Sequence, residues 1–416
     1  MDFNDTPEEA AFRAEARAWL EANADPLEPG EAGGDLLGER VDAAALKAAK
    51  AWQKKKADAG WACITWPKEY GGRAATAIQS VIWNQEHAKF RTPANIFSIG
   101  IGMCGPTVLA HGTPEQRERW IPDLLSGEKV WCQLFSEPAA GSDLAGLRST
   151  AVRDGDDWIV NGQKIWTTGA HFCDWGIIVV RSDPGAAKHA GLTYFVVDMH
   201  APGVEIRPIT QINGGKGFNE VFFTDVRIPD DQRLDAVGNG WRVALTTLMN
   251  ERASIGGSAG ASAIEDLFRL AREIEVGGQP VIEDPAVRQK LADFYVRSAG
   301  VKYTGLRTIT ALSKGTMPGP EASLGKLIGA ILGQNMAAYA MELQGVAGGI
   351  TSDPATTPHQ GAWQDRYLGL PGLRIAGGTD EILRNIIAER VLGLPPEARV
   401  DKGVAFKDIP SGPPSA

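Results

Sequence analysis

The strongest constraint on the fold is that the spacing of apolar residues changes period twice along the chain. Up to about Gly127 apolar side chains recur at helical spacing, beyond it they alternate, and from Trp241 to about Leu392 the helical spacing returns. The two periods bury different faces, so this order predicts a β-domain set between two helical domains. A doubly wound dinucleotide-binding fold is disfavoured, because no GxGxxG stretch lies between a strand pattern and a helix pattern.

Local signals place the elements. Residues 6–23 read as an amphipathic helix with Thr6 as N-cap, Pro7 in the first turn, and Phe12, Ala16, Trp19 and Leu20 at helical spacing. Further helices are expected over 43–59, 76–89 and 114–125, with breaks at Pro67, at Gly71-Gly72 and around Gly100–Pro106. Asp154-Gly155 and Asn161-Gly162 read as two-residue hairpin turns, the second pairing 158–160 with 163–166. More strands are expected at 177–180, 192–198, 204–207 and 220–223, ending at Ile228-Pro229. Helical stretches follow at 241–260, 262–276, 285–314, 321–345 and 379–392, with Gly- and Pro-rich loops at 316–320 and 348–371. The predicted class is α+β multidomain: an N-terminal α-helical domain over 1–126, a middle β-domain over 127–238, a C-terminal helical bundle over 239–400 and a tail over 401–416. From Pro395 onward the chain reads as loosely held.

A chain of 416 residues exceeds what one core serves, which agrees with several domains. Its net charge of −9, with basic residues spread along the chain, argues against nucleic-acid and anionic-membrane surfaces. No apolar run approaches a membrane span and the first residues lack a signal layout, so a cytoplasmic protein is expected. Cys63, Cys104, Cys132 and Cys173 lack CxxC spacing and read as buried thiols, and the six histidines form no HExxH-like pair. No metal site is expected.

Four stretches could support chemistry. Gln133–Asp143 (QLFSEPAAGSD) sets small residues and hydroxyls in a Pro/Gly loop where backbone N–H groups can face a pyrophosphate, although an ordinary turn has the same composition. Trp166, with Thr168 two residues on, offers an aromatic wall and a hydrogen-bond donor, as a flavin would need; a β-core tryptophan reads the same way. Ala244, Leu248, Glu251 and Ile255 follow i, i+4, i+7, i+11, so Glu251 interrupts an apolar stripe. A carboxylate so placed should have a raised pKa and could abstract a proton α to a thioester carbonyl, or else pair with a buried arginine. Last, Ile375–Arg384 puts Gly377-Gly378 and Thr379 just before an amphipathic helix, whose first turn can cap itself or bind an anion.

Taken together these stretches resemble the acyl-CoA dehydrogenase family from about Asp5 to Pro395. The resemblance runs through Gly60–Gly72 (GWACITWPKEYGG), Ser136–Asp143 (SEPAAGSD), Asn161–Thr168 (NGQKIWTT), Phe222–Pro229 (FFTDVRIP) and Gly378–Ile382 (GTDEI), in that order. It implies a helical N-terminal domain, a β-barrel-like middle domain and a C-terminal four-helix bundle through which subunits associate. It assigns Leu134, Phe135, Ser136, Gly141, Ser142, Trp166, Thr168 and Thr379 to FAD, and Ser142, Arg252 and Gly378 to acyl-CoA.

Three departures from the family pattern matter. Many members place the catalytic glutamate directly before the Gly-Thr of the C-terminal loop, where this chain has Gly377; isovaleryl- and long-chain-type members place it before an arginine on a helix, which Glu251-Arg252 matches. The Arg-x-x-Phe-Gly that reaches a neighbour's FAD is replaced by Ile274–Gly278 (IEVGG), with Arg272 and Arg288 the nearest cations, and the Gln-x-x-Gly-Gly stretch reads Gln344–Gly348 (QGVAG). With Pro318–Ser323 (PGPEAS), these resemble a bacterial branch that includes mixed α2β2 complexes acting on bulky side chains.

The reaction implied is α,β-dehydrogenation of an acyl-CoA, with Glu251 as base, flavin N5 as hydride acceptor and electrons passed to an electron-transfer flavoprotein. The assembly implied is a homodimer, homotetramer or mixed tetramer. Two alternatives stand beside it: a flavin oxidase or monooxygenase of the same fold, and a non-catalytic subunit of a mixed complex.

Overall fold

The computed structural model describes residues 5–27, 41–255, 263–314, 319–349, 357–399 and 401–409, apart from the side chains of 252–255, 312–313 and 360. Eleven helices lie among them: α1 (Pro7–Glu21), α2 (Ala43–Asp58), α3 (Ala77–His87), α4 (Gly105–His111), α5 (Pro114–Ser126), α6 (Gly240–Ile255), α7 (Ala263–Glu273), α8 (Pro285–Ser313), α9 (Ser323–Gln344), α10 (Ala362–Leu373) and α11 (Asp380–Arg390). The strands are β1 (Asp25–Pro26), β2 (Phe90–Arg91), β3 (Trp131–Leu134), β4 (Thr150–Asp154), β5 (Asp157–Thr168), β6 (Trp175–Arg181), β7 (Leu192–Asp198), β8 (Val204–Pro208), β9 (Phe218–Pro229), β10 (Arg233–Leu234), β11 (Glu275–Val276) and β12 (Gln279–Pro280). The chain divides into two compact units: a helical unit (residues 1–33, 76–92 and 252–396) and a sheet-centred unit (34–75, 93–251 and 397–416).

In the sheet-centred unit eight strands run in the order β10-β7-β6-β4-β5-β9-β8, with β3 added parallel to β6. Strands β6 and β7 are buried on both faces, as a near-continuous apolar run requires. Ile177, Val179, Tyr194 and Val196 pack with Val108, Trp120, Ile121 and Leu124 of α4 and α5. Ile178, Val180, Phe195 and Val197 pack on the opposite side with Val160, Val221 and Phe223. A two-residue turn joins β4 to β5 one residue later than expected: Asp154 pairs with Asp157, so Gly155, at φ 63°, and Asp156 make the turn.

The second expected hairpin does not form. Strand β5 runs unbroken through Asn161-Gly162, and 158–160 pair with β9 rather than with 163–166. Gly162 sits at φ 148° in a bulge where a Cβ would lie 2.2 Å from Ser149 Oγ, so the glycine serves close packing. The Asn161 amide meanwhile grips Asp225, which is itself at φ 49°, through two 2.9 Å hydrogen bonds. Nor does the chain break at Gly100–Pro106: Gly100–Cys104 is a π-helical turn leading into α4, and Gly105 lies against the Trp66 ring.

In the helical unit α7, α8, α9 and α10 share an apolar core that includes Leu267, Phe294, Met336 and Trp363. Helix α1 starts at a capping box between Thr6 and Glu9 and is tied to α3 through Glu86, which accepts from Arg13 and Arg17. The stretch expected to be a loop over 348–371 contains α10; burial of Trp363 and Gln364 outweighs its glycines and Pro371. Residues 350–356 of that stretch, and 316–318 of the expected loop at 316–320, lie outside the described residues. Helix α7 ends at Glu273 instead of continuing to 276, because Gly277 and Gly278, both at positive φ, turn the chain into the β11–β12 hairpin.

Candidate active site

Helix α6 carries the carboxylate of interest. Ala244 is fully buried, Leu248 is partly buried against the same core, and Glu251 follows, half-buried, one turn further on. Its carboxylate accepts a 3.3 Å hydrogen bond from the Gln133 amide of β3. The other Gln133 atom, Oε1, is buried without a hydrogen-bond partner, which leaves an acceptor open beside the carboxylate. Gln133 opens the stretch singled out by sequence, but no role was assigned to it there.

Strand β3 leads into the loop read as a pyrophosphate cradle. Leu134 and Phe135 are buried, the Phe135 ring standing edge-on to Tyr194 at 5.9 Å, and Ser136 is half-exposed. Glu137 and Ala140 then exchange two 3.0 Å backbone hydrogen bonds, and the turn so closed presents Gly141 and Ser142 to solvent. A Cβ at Gly141 would meet nothing within 4 Å, so the loop is open where a ligand would lie.

The loop is locked to β5 by a buried ion pair that the sequence reading missed. Lys164, fully buried, donates to Glu137 at 2.8 Å and to the Phe135 and Val179 carbonyls, while Glu137 also accepts from the Arg148 and Ser149 amides. Burial would raise the Glu137 pKa, but Lys164 and these donors outweigh it and hold the carboxyl below its ordinary value. Burial also pulls the Lys164 ammonium downward. The signal was available: Lys164 occupies an inward position of an alternating strand.

Two residues beyond Lys164 the ladder to β9 is irregular, and Trp166 takes a left-handed φ of 61°. The bulge leaves the indole 56% exposed, edge-on to Phe218 at 5.9 Å. It also interrupts the simple alternation expected between Trp166 and Thr168, which rejoins the ladder opposite Phe218 and is half-buried. An exposed indole platform, the open Gly141-Ser142 turn and the unpartnered Gln133 acceptor suit a planar heterocycle with a diphosphate tail.

The sheet-centred unit thus assembles Leu134, Phe135, Ser136, Gly141, Ser142, Trp166, Thr168 and Glu251. Gly378 and Thr379 belong to the helical unit, where Gly377 and Gly378 have φ of 67° and 96° and Thr379 caps α11 through the Ile382 amide. Beside them a hollow of about 290 Å³ is bounded by Gln334, Arg374, Thr379 and Asp380, with Arg374 forked onto Asp380. Arg252 lies on α6, but its side chain is outside the described residues. Gln344 is buried, its amide oxygen taken by Gln364 at 3.0 Å. Among the described residues no cluster of metal ligands occurs and no helix is long and apolar enough to cross a membrane.

Comparison with known proteins identifies the family. The chain matches the acyl-CoA dehydrogenase N-terminal domain over residues 6–128, the middle domain over 132–226 and the C-terminal domain over 238–392. It is 39% identical over 399 residues to acyl-CoA dehydrogenase IpdE1 of Mycobacterium tuberculosis, covering 93% of this chain and 98% of that protein. Among solved structures it is similar to the Tcur3481-Tcur3483 steroid ACAD, with a TM-score of 0.78 at 26% identity over 95% of this chain and 100% of that one. The ChsE4-ChsE5 complex from Mycobacterium tuberculosis gives 0.77 at 28% identity, covering 95% and 100%.

Proposed function

The chain belongs to the acyl-CoA dehydrogenase family, and from that premise we propose that it removes the α and β hydrogens of an acyl-CoA thioester, giving the trans-2-enoyl-CoA, with Glu251 taking the α-proton. The observation that carries this reading is the position of Glu251, at the end of the buried stripe of α6 and bonded to Gln133 at the head of the cradle loop. The alternative position of the base is Gly377, whose left-handed φ of 67° would strain a glutamate.

FAD, when bound, supplies the acceptor for the β-hydrogen as hydride. Leu134, Phe135, Ser136, Gly141, Ser142, Trp166, Thr168 and Thr379 are the residues we assign to holding it, and Ser142, Arg252 and Gly378 to the acyl-CoA. Trp166 offers its ring as a wall, and the Gly141-Ser142 turn offers backbone N–H groups and a hydroxyl to phosphate. Glu251 abstracts the α-proton, and the Gln133 amide, donating to the carboxylate, orients it. Electrons leave to an electron-transfer flavoprotein.

We favour a bulky, steroid-derived acyl group. The support is the likeness to the steroid ACAD, together with Ala376 and Gly377, which present nothing larger than a methyl group before α11. Association through the helical unit is part of the same reading, as a homo-oligomer or a mixed α2β2 tetramer: Val296 and Tyr303, seven residues apart on α8, are exposed, as is Tyr367 on α10.

Anaerobic mixing with a panel of acyl-CoA thioesters, straight, branched and ring-bearing, tests the proposal by bleaching of the flavin band. Glu251→Gln should lower turnover by about 10²–10⁴-fold with FAD content retained. Turnover at the parent rate would overturn the assignment, and rapid reaction of the substrate-reduced protein with oxygen would favour an oxidase.

A further inference from the structure

The stretch read from sequence as a loose tail is held in place: residues 401–409 lie against the loop between β6 and β7. Ala405 forms an antiparallel bridge with Ala187, and the Phe406 and Lys407 amides donate to the Ala186 and Pro184 carbonyls at 2.9 and 3.0 Å. The Phe406 ring centroid lies 3.3 Å from the Arg181 guanidinium carbon, and Asp401 accepts from Lys188 at 2.7 Å.

Those two cations reach the other way into the cradle loop. Arg181 donates to the Ala145 carbonyl at 2.6 Å and to that of Leu147 at 3.2 Å, and Lys188 donates to Asp143 at 2.7 Å. Arg181 is 2% exposed and Lys188 8%. A guanidinium with one face covered by an aromatic ring is shielded from water there, which strengthens its bonds to the carbonyls on its edge. Asp143 is the exposed end of the Lys188 bridge and contributes little alone, whereas Asp401 is largely shielded. The tail therefore acts on the loop chiefly through Phe406 and Arg181, with Lys188 as a second link.

We propose that segment 401–409 is an intramolecular strap that fixes the 141–148 loop, with Arg181 and Lys188 as positioning residues, and thereby sets how tightly this loop holds an anionic ligand. The ligand half of this statement rests on the reading of Gly141 and Ser142 as flavin contacts; the loop-fixing half does not.

Hydrogen exchange at 144–148 tests the strap directly, because the Gly146 and Leu147 amides close the turn that Arg181 holds. In Phe406→Ala, in Lys188→Met and in a chain ended after Pro396, exchange there should rise at least ~10-fold while α5 is unaffected, and Lys188→Arg should restore the parent rate. FAD affinity should fall by about tenfold in the same variants. Unchanged exchange at 144–148 in all three overturns the strap, as does uniform acceleration that includes α5. Faster exchange with unaltered FAD affinity removes the ligand half. A parent chain that binds no FAD refutes the reading of the loop as a flavin site, while the exchange pattern still decides the strap.

Discussion

The two units of this chain are stabilised in different ways. The sheet-centred unit packs apolar side chains on both faces of one sheet and commits its few buried charges, Lys164 with Glu137 and Arg181 with carbonyls, to holding the cradle loop. The helical unit packs α7, α8, α9 and α10 around an apolar core and ties its elements with ion pairs between shielded carboxylates and more exposed cations: Glu86 with Arg13, Arg17 and Lys89, and Asp380 with Arg374. It also leaves Tyr295, Val296 and Tyr303 of α8 in solvent. The difference teaches that buried charge holds a loop in one unit and joins helices in the other, while both leave apolar side chains in solvent, Trp166 in the first and Tyr303 in the second.

The sharpest way to break this contrast is at its buried charges. Lys164→Met leaves Glu137 buried without its partner and should cost roughly 3–5 kcal/mol, read from the urea midpoint. Adding Glu137→Gln should recover part of the loss. If Lys164→Met unfolds at the parent midpoint, the ion pair is not what fixes the loop to β5.

Acid probes the helical unit. Glu86 is fully buried between three cations, and although burial alone would raise its pKa, their hydrogen bonds lower it from 4.5 to about 2. Its folded pKa is depressed, so its contribution is complete above pH 4.5 and is lost as pH falls toward about 2. That contribution is about 3 kcal/mol, and Glu86→Gln should flatten the acid limb of the stability curve over that interval. An unchanged acid limb would show that other carboxylates dominate.

The smallest expected effect sharpens the comparison, because each unit contains the same local device. Thr6 begins α1 and Thr113 begins α5 with capping boxes of like geometry. Thr6→Ala and Thr113→Ala should each cost about 1 kcal/mol by chemical denaturation. A much larger loss at Thr113 would show that α5, which packs on the sheet through Trp120, Ile121 and Leu124, transmits its cap into the core.

The sequence revealed what is decided locally. Thr6 announces the start of α1, and the run Leu192–Asp198 is a strand with the expected limits. The half-buried Glu251 at the end of the α6 stripe was legible from helical spacing, whereas the bulge at Trp166 breaks the alternation that the sequence suggests there. What was not legible depends on partners distant in sequence. Asn161-Gly162 has the composition of a hairpin turn, but Asp225 and Ser149 make it a bulge. Helix α10 is hidden by its glycines and Pro371, because the core that buries Trp363 is built by α7, α8 and α9. Segment 401–409 looks loose because nothing in it names Arg181 or Lys188.

The left-handed backbone at Trp166 has a consequence for how this protein could change over generations. A bulky residue held at φ 61° carries strain of order 1–3 kcal/mol, which glycine would not. Because the indole is more than half exposed, little packing opposes the exchange. Selection for stability alone should therefore favour Trp166→Gly, raising the denaturant midpoint of the flavin-free chain, while selection for the proposed flavin platform would retain the tryptophan. Position 166 is where those two pressures pull apart.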